Sequence, residues 1–146
     1  MMGMNVARLT NEAIIPTIAH HGDAGFDLAS IEDIDISPGE TRMVRTGLVL
    51  EIPEDYAGFV LPRSGLAVKK GVTIPNAPGL IDSGYRGEIK VGLHNSRENH
   101  RYEVKKDDRI AQIVFLQYGQ FEFQEKTLEE LESSERNTGG FGSSGN

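Results

Sequence analysis

Short alternating or β-branched runs set between turn residues, an almost complete lack of helical periodicity, and glycine at about 12% of the chain against a usual ~7% predict an all-β sandwich or barrel. The runs at 41–52, 56–61, 87–93 and 109–116 are the clearest strands. In Glu88-Ile89-Lys90-Val91-Gly92-Leu93 every second residue is apolar, so one face of that strand is buried and the other meets solvent. Ser37-Pro38-Gly39-Glu40, Ile52-Pro53-Glu54-Asp55 and Lys105-Lys106-Asp107-Asp108 read as the tight turns between runs. Residues 66–71 have room for one short helical turn. Residues 128–135 carry four Glu and little apolar face, which predicts an exposed, weakly ordered connector.

At 146 residues the chain is sized for one domain. Its net charge of −7 speaks against a nonspecific nucleic-acid coat, because such binding needs basic surface to displace counterions. An anionic ligand must then be held by a local site. With no Cys, disulfides, Cys-ligated zinc, iron–sulfur clusters and thiol nucleophiles are excluded. Apolar runs such as Phe59-Val60-Leu61 and Ile113-Val114-Phe115-Leu116 fall far short of the ~20 residues that span a bilayer. The Met-rich start has neither the basic nor the apolar region of a signal peptide, so the expectation is a soluble cytoplasmic protein without membrane or nucleic-acid partners.

Several segments bear on chemistry. His20 and His21 are adjacent, lack the spacing of a metal motif and read as an exposed loop, while His94 and His100 read as surface groups. Pro62-Arg63-Ser64-Gly65-Leu66 ends a strand and then offers a guanidinium, a hydroxyl and a permissive Gly in succession. Such a turn can aim backbone amides, Arg63 and Ser64 at a phosphate, and serves equally as an ordinary strand-ending turn. Residues 76–88 read as a hairpin closing on Ser83-Gly84, with Asn76, Asp82 and Tyr85 along it; Asp82 is there either a solvated carboxylate or a water-orienting base. Ala24-Gly25-Phe26-Asp27-Leu28 and Asp108-Arg109-Ile110-Ala111-Gln112 each set a charged or amide group among apolar neighbours. The last eleven residues hold four Gly and one aromatic, Phe141, too little apolar area to fold alone. They form either a disordered terminus or an arm that orders over a ligand.

Taken together, residues 24–30, 62–67, 79–88, 108–112 and 136–145 resemble, in order and spacing, the five motifs of the trimeric deoxyuridine triphosphate nucleotidohydrolase (dUTPase) family. Gly84 stands where many relatives carry Asp, and Ser144 where many carry Thr. The resemblance implies a distorted β jelly roll, residues 1–135, with a flexible glycine-rich arm, residues 136–146, in a homotrimer whose active sites lie at subunit interfaces. It implies Mg²⁺-assisted hydrolysis of dUTP to dUMP and pyrophosphate, with Asp82 activating the water that attacks the α-phosphorus and touching the sugar 3′-hydroxyl. Tyr85 would pack on the deoxyribose, and Asn76 with the backbone around Gly79 and Ile81 would read the uracil edge. Arg63, Ser64, Gly65 and Gln112 would bind phosphate oxygens or the water network. Arg136, Gly142, Ser143 and Ser144 would close over the γ-phosphate, Phe141 would stack on uracil, and Asp27 would touch a magnesium-bound water. Two other readings stay open: a deoxycytidine triphosphate deaminase of the same fold, and a trimeric β module that only binds a protein partner. The deaminases carry a catalytic Glu on the strand after the corresponding turn, and alignment of that turn on Gly84-Tyr85-Arg86-Gly87 places Gly92 there.

Overall fold

The computed structural model describes residues 2–142 and residue 145. The expected all-β architecture is present: eleven strands among the described residues, every pairing antiparallel, and one short helix. Strand β1 (Asn5–Arg8) pairs with β5 (Leu48–Glu51), and β3 (Ile34–Ile36) with β10 (Tyr102–Val104). A four-stranded sheet runs β2 (Phe26–Ala29), β11 (Arg109–Gln117), β6 (Tyr56–Leu61), β8 (Gly79–Ile81). A three-stranded sheet runs β4 (Thr41–Arg45), β9 (Lys90–Asn95), β7 (Val72–Thr73). These sheets enclose one core, in which Leu28, Ile36, Val44, Leu48, Ile89, Val91, Leu93, Val104, Ile110 and Ile113 are fully buried. Three polar side chains enter that core, and each is satisfied. Ser30 Oγ bonds the Glu32 backbone, Thr46 Oγ1 donates to the Ile89 carbonyl, and Asn95 Nδ2 donates to the Ile36 and His100 carbonyls. Buried groups without such partners would each cost a few kcal/mol, on the order of 1–3.

Two expectations need correction. The run 41–52 is two strands in different sheets, because Gly47 turns the chain with φ of +68° between β4 and β5. A Cβ there would also press on Ala13 and Ile31 at 3.0 and 3.3 Å. Residues 76–88 are not a hairpin. The first arm, β8, pairs with β6, whereas the chain beyond the turn enters β9 of the other sheet, so what closes at Asp82–Tyr85 is a crossover between sheets. Alternation in sequence identified both arms as extended but carries no information about which strand each one joins. The short helical turn is larger than expected, a helix α1 (Ser64–Lys70) ended by Gly71 in the left-handed region at φ +66°. Residues 128–130 make a single 3₁₀ turn with a Thr127 capping box, and every residue from Leu116 to Thr138 is exposed.

Candidate active site

The sequence-predicted residues fall into two groups at different ends of strand β6. At one end the crossover turn presents Asp82 and Tyr85. The Tyr85 amide donates to the Asp82 carbonyl at 3.1 Å, and Arg86 Nη1 donates to the Ser83 and Tyr85 carbonyls at 2.7 and 3.1 Å, so the turn is braced from outside. The exposed Asp82 carboxylate takes no hydrogen bond or ion pair from any described residue. Tyr85, 45% exposed, folds its ring across Gly87 and donates its hydroxyl to the Glu88 carbonyl at 3.1 Å. A side chain at residue 87 would overlap that ring. Glu88 is held in turn by Arg45 Nε at 3.1 Å and the Gly47 amide at 3.0 Å. Gly84 borders open space, so a side chain there would meet no obstacle. Gly79 is buried opposite Val60 and Ile81 lies opposite Gly58; the exposed Asn76 brings its amide nitrogen to 3.5 Å from where a Gly79 Cβ would stand.

At the other end, β2, β11 and β6 bring Asp27, Gln112 and Leu61 side by side. Gln112 Nε2 donates to the Pro62 carbonyl at 3.1 Å, and its carboxamide lies over Gly25, where a side chain would collide with it. Arg63, at the N-cap of α1, sends Nε to within 3.6 Å of Asp27 Oδ1 and donates from Nη1 to the Arg109 carbonyl at 3.1 Å. Arg109 Nη1 donates to Asp27 Oδ2 at 3.2 Å. Ser64 and Gly65 are exposed at the start of the helix. The Tyr102 hydroxyl lies in the same field: burial and the Asp108 carboxylate push its pKa up, and Arg63 opposes them. Two guanidinia thus flank the Asp27 carboxylate, with the Asp108 carboxylate in the same field.

Register separates the groups. Asp82 follows Ile81, which faces Gly58, whereas Gln112 faces Leu61; four residues along β6 at ~3.3 Å each put them about 13 Å apart along the strand. In the tail, Arg136 Nε donates to the Gly139 carbonyl at 2.6 Å, Gly142 takes φ +88°, and Phe141 is wholly exposed. Ser143 and Ser144 lie outside the described residues. The sequence assigns Arg109 no role of its own, since its partner Asp27 is 82 residues away and no local pattern links them. His20, His21 and His100 are exposed, and His94 meets only Thr41 Oγ1, at 3.0 Å. Among the described residues no three His, Asp or Glu converge as a metal cage, and no helix is long and apolar enough to cross a membrane.

The β-built domain thus carries an exposed carboxylate on a braced turn at one end of β6 and two arginines about Asp27 at the other, and its similarity to known proteins places it among the nucleotide hydrolases. The dUTPase family model matches residues 11–145. The chain is 47% identical over 145 residues to the deoxyuridine 5'-triphosphate nucleotidohydrolase of Clostridioides difficile, covering 99% of each chain. It is 50% identical over 144 residues to that of Nautilia profundicola, again covering 99% of each. Among solved structures it is similar to a Staphylococcus bacteriophage 80alpha dUTPase variant with dUpNHpp, at TM-score 0.89 and 31% identity over 99% of both chains. It is also similar to a dUTPase variant from phage phi11 of S. aureus, described with a structural Mg(II) ion, at TM-score 0.82 and 25% identity over 89% of this chain and all of that one. The chain belongs to the dUTPase family, and its reaction is the hydrolysis of dUTP.

Proposed function

We propose that dUTP is split to dUMP and pyrophosphate in sites shared between copies of a homotrimer, the Asp82 turn of one copy facing the Arg63–Gln112 end of another. The separation of about 13 Å along β6 supports this reading, because a base and the donors gripping the same phosphate must lie within a few Å of one another. Asp82 takes the proton of the water that attacks the α-phosphorus. Its carboxylate is uncommitted and exposed, which suits a group that must accept a proton. The Tyr85 ring, laid flat by Gly87, packs against the deoxyribose and leaves no room for a ribose 2′-hydroxyl. Asn76 and the backbone at Gly79 and Ile81 read the uracil edge. Arg63, Ser64, Gly65 and Gln112 hold phosphate oxygens; Arg136, Gly142, Ser143 and Ser144 close over the γ-phosphate, with Phe141 on the base. Phosphoanhydride cleavage needs positioning and charge neutralisation rather than covalent catalysis, so this set suffices.

Magnesium usually keeps several waters and is held through substrate phosphates with one or two carboxylates, and the single partly exposed Asp27 fits that requirement through a bound water. When bound, the ion neutralises charge on the triphosphate. A cytoplasmic location suits an enzyme of the free nucleotide pool. Gly92, facing Met43 in the β4–β9 pair, has no side chain to serve as the acid or base that deamination requires.

Complementation tests the shared site. Asp82→Asn and Arg63→Gln proteins, each inactive alone, are mixed, unfolded and refolded together, and pyrophosphate release from dUTP is followed. Random assembly with one site per interface returns about a quarter of wild-type activity. No recovery places both residues in one chain's site and ends the proposal. Ammonia release from dCTP would revive the deaminase reading.

A further inference from the structure

We propose that Arg109 is a positioning residue: it anchors Asp27, and the pair holds the Arg63 guanidinium in the orientation that receives phosphate. The inference rests on the reading that Arg63 binds the triphosphate. Three observations carry it. Arg63 has two contacts, an ion pair of Nε with Asp27 Oδ1 at 3.6 Å and a hydrogen bond from Nη1 to the Arg109 carbonyl at 3.1 Å. A planar guanidinium fixed at two points has its remaining donors fixed in direction, and no described residue pairs with Nη2, which is left for an anion. Next, Asp27 is gripped from the opposite side by Arg109 Nη1 at 3.2 Å, so residue 109 acts on Arg63 twice, by its carbonyl directly and by its side chain through Asp27.

The third observation is a β-bulge. The register of β11 against β2 slips between Arg109 and Ala111: Arg109 faces Ala29, Ala111 faces Leu28 and Gln112 faces Asp27. In an unbroken strand residues three apart point to opposite sides. The extra residue, Ile110, is buried next to the equally buried Ala111, and it turns Arg109 to the side that carries Asp27 and Gln112. Bulges re-aim side chains beside active sites, and this one aims a second arginine at a carboxylate that a regular strand would not reach. The Arg109 side chain is 56% exposed and that of Asp27 22%, so solvent reaching the arginine screens the pair and limits what it adds to stability. A role in placing Arg63 explains an arrangement that stability does not.

Full-length Arg109→Gln, Asp27→Asn, the double variant, Arg109→Lys and Arg63→Gln are compared by kcat and KM for dUTP, affinity for the non-hydrolysed dUpNHpp, and melting temperature. The expected result is a fall of at least ~10-fold in kcat/KM for Arg109→Gln with a parallel loss of dUpNHpp affinity, unchanged melting, and partial recovery in Arg109→Lys. The double variant is expected to lose no more than about twofold beyond the worse single one, because both changes break one chain of contacts. Losses that multiply mean Arg109 acts on substrate independently of Asp27 and overturn the proposal. So does wild-type behaviour of Arg109→Gln, or a loss explained by lowered melting in both Arg109 variants. An active Arg63→Gln enzyme instead overturns the phosphate-site reading beneath it, which separates the two failures.

Discussion

The two ends of β6 differ in how their charges are committed. At the Asp27–Arg63–Gln112 end nearly every polar group has a partner: carboxylate with two guanidinia, carboxamide with the Pro62 carbonyl, Arg63 with the Arg109 carbonyl. At the crossover turn Arg86 and Glu88 bond backbone and Arg45 bonds Glu88, and among the described residues none pairs with Asp82. In the proposed function the first end is preorganised to receive charge, which lowers the reorganisation needed when a triphosphate arrives. The other holds the carboxylate to which the proposed function gives the attacking water's proton. The proposed hydrolysis uses both, and a single chain keeps them apart along the same strand.

The contrast can be broken first at Asp82. Replacing it with Asn preserves size but removes the proton acceptor; turnover, read as pyrophosphate release, is expected to fall at least ~10²-fold while dUpNHpp affinity by calorimetry stays close to wild type. Nearly normal turnover would strip the turn of its assigned chemistry. A smaller loss, about tenfold or more in kcat/KM, is expected on deleting residues 136–146, since that segment is too polar and glycine-rich to contribute to the core but would align the phosphates. Melting and assembly, followed by calorimetry and light scattering, should not change; full activity, or a truncated protein that fails to assemble, refutes a closing arm. The smallest effect is at Gly87→Ala. Its methyl group displaces the Tyr85 ring, so dUTP hydrolysis should drop several-fold and discrimination against UTP should weaken. Unchanged selectivity between dUTP and UTP would detach Tyr85 from sugar recognition.

Local signals were enough for the strands at 56–61 and 109–116, because alternation and β-branching are properties of consecutive residues. They point also to Arg63 and Asp82 as groups that could carry chemistry, whereas Gln112 takes a role only from the family resemblance. They were not enough for the crossover at 82–85, which alternation renders identical to a hairpin, nor for Arg109, whose partner is separated from it by 82 residues and whose direction depends on a bulge.

The sequence by itself determined the β class, the lack of thiol chemistry, the glycine positions and the identity of the chemical groups, because these follow from composition and near-neighbour pattern. Only the tertiary structure decided which strands meet, that Gly25 and Gly87 exist to let Gln112 and Tyr85 lie flat, and that the carboxylate turn and the arginine end sit about 13 Å apart along β6. Those are consequences of register and sheet assignment, quantities set by burying one shared core rather than by any single stretch of chain.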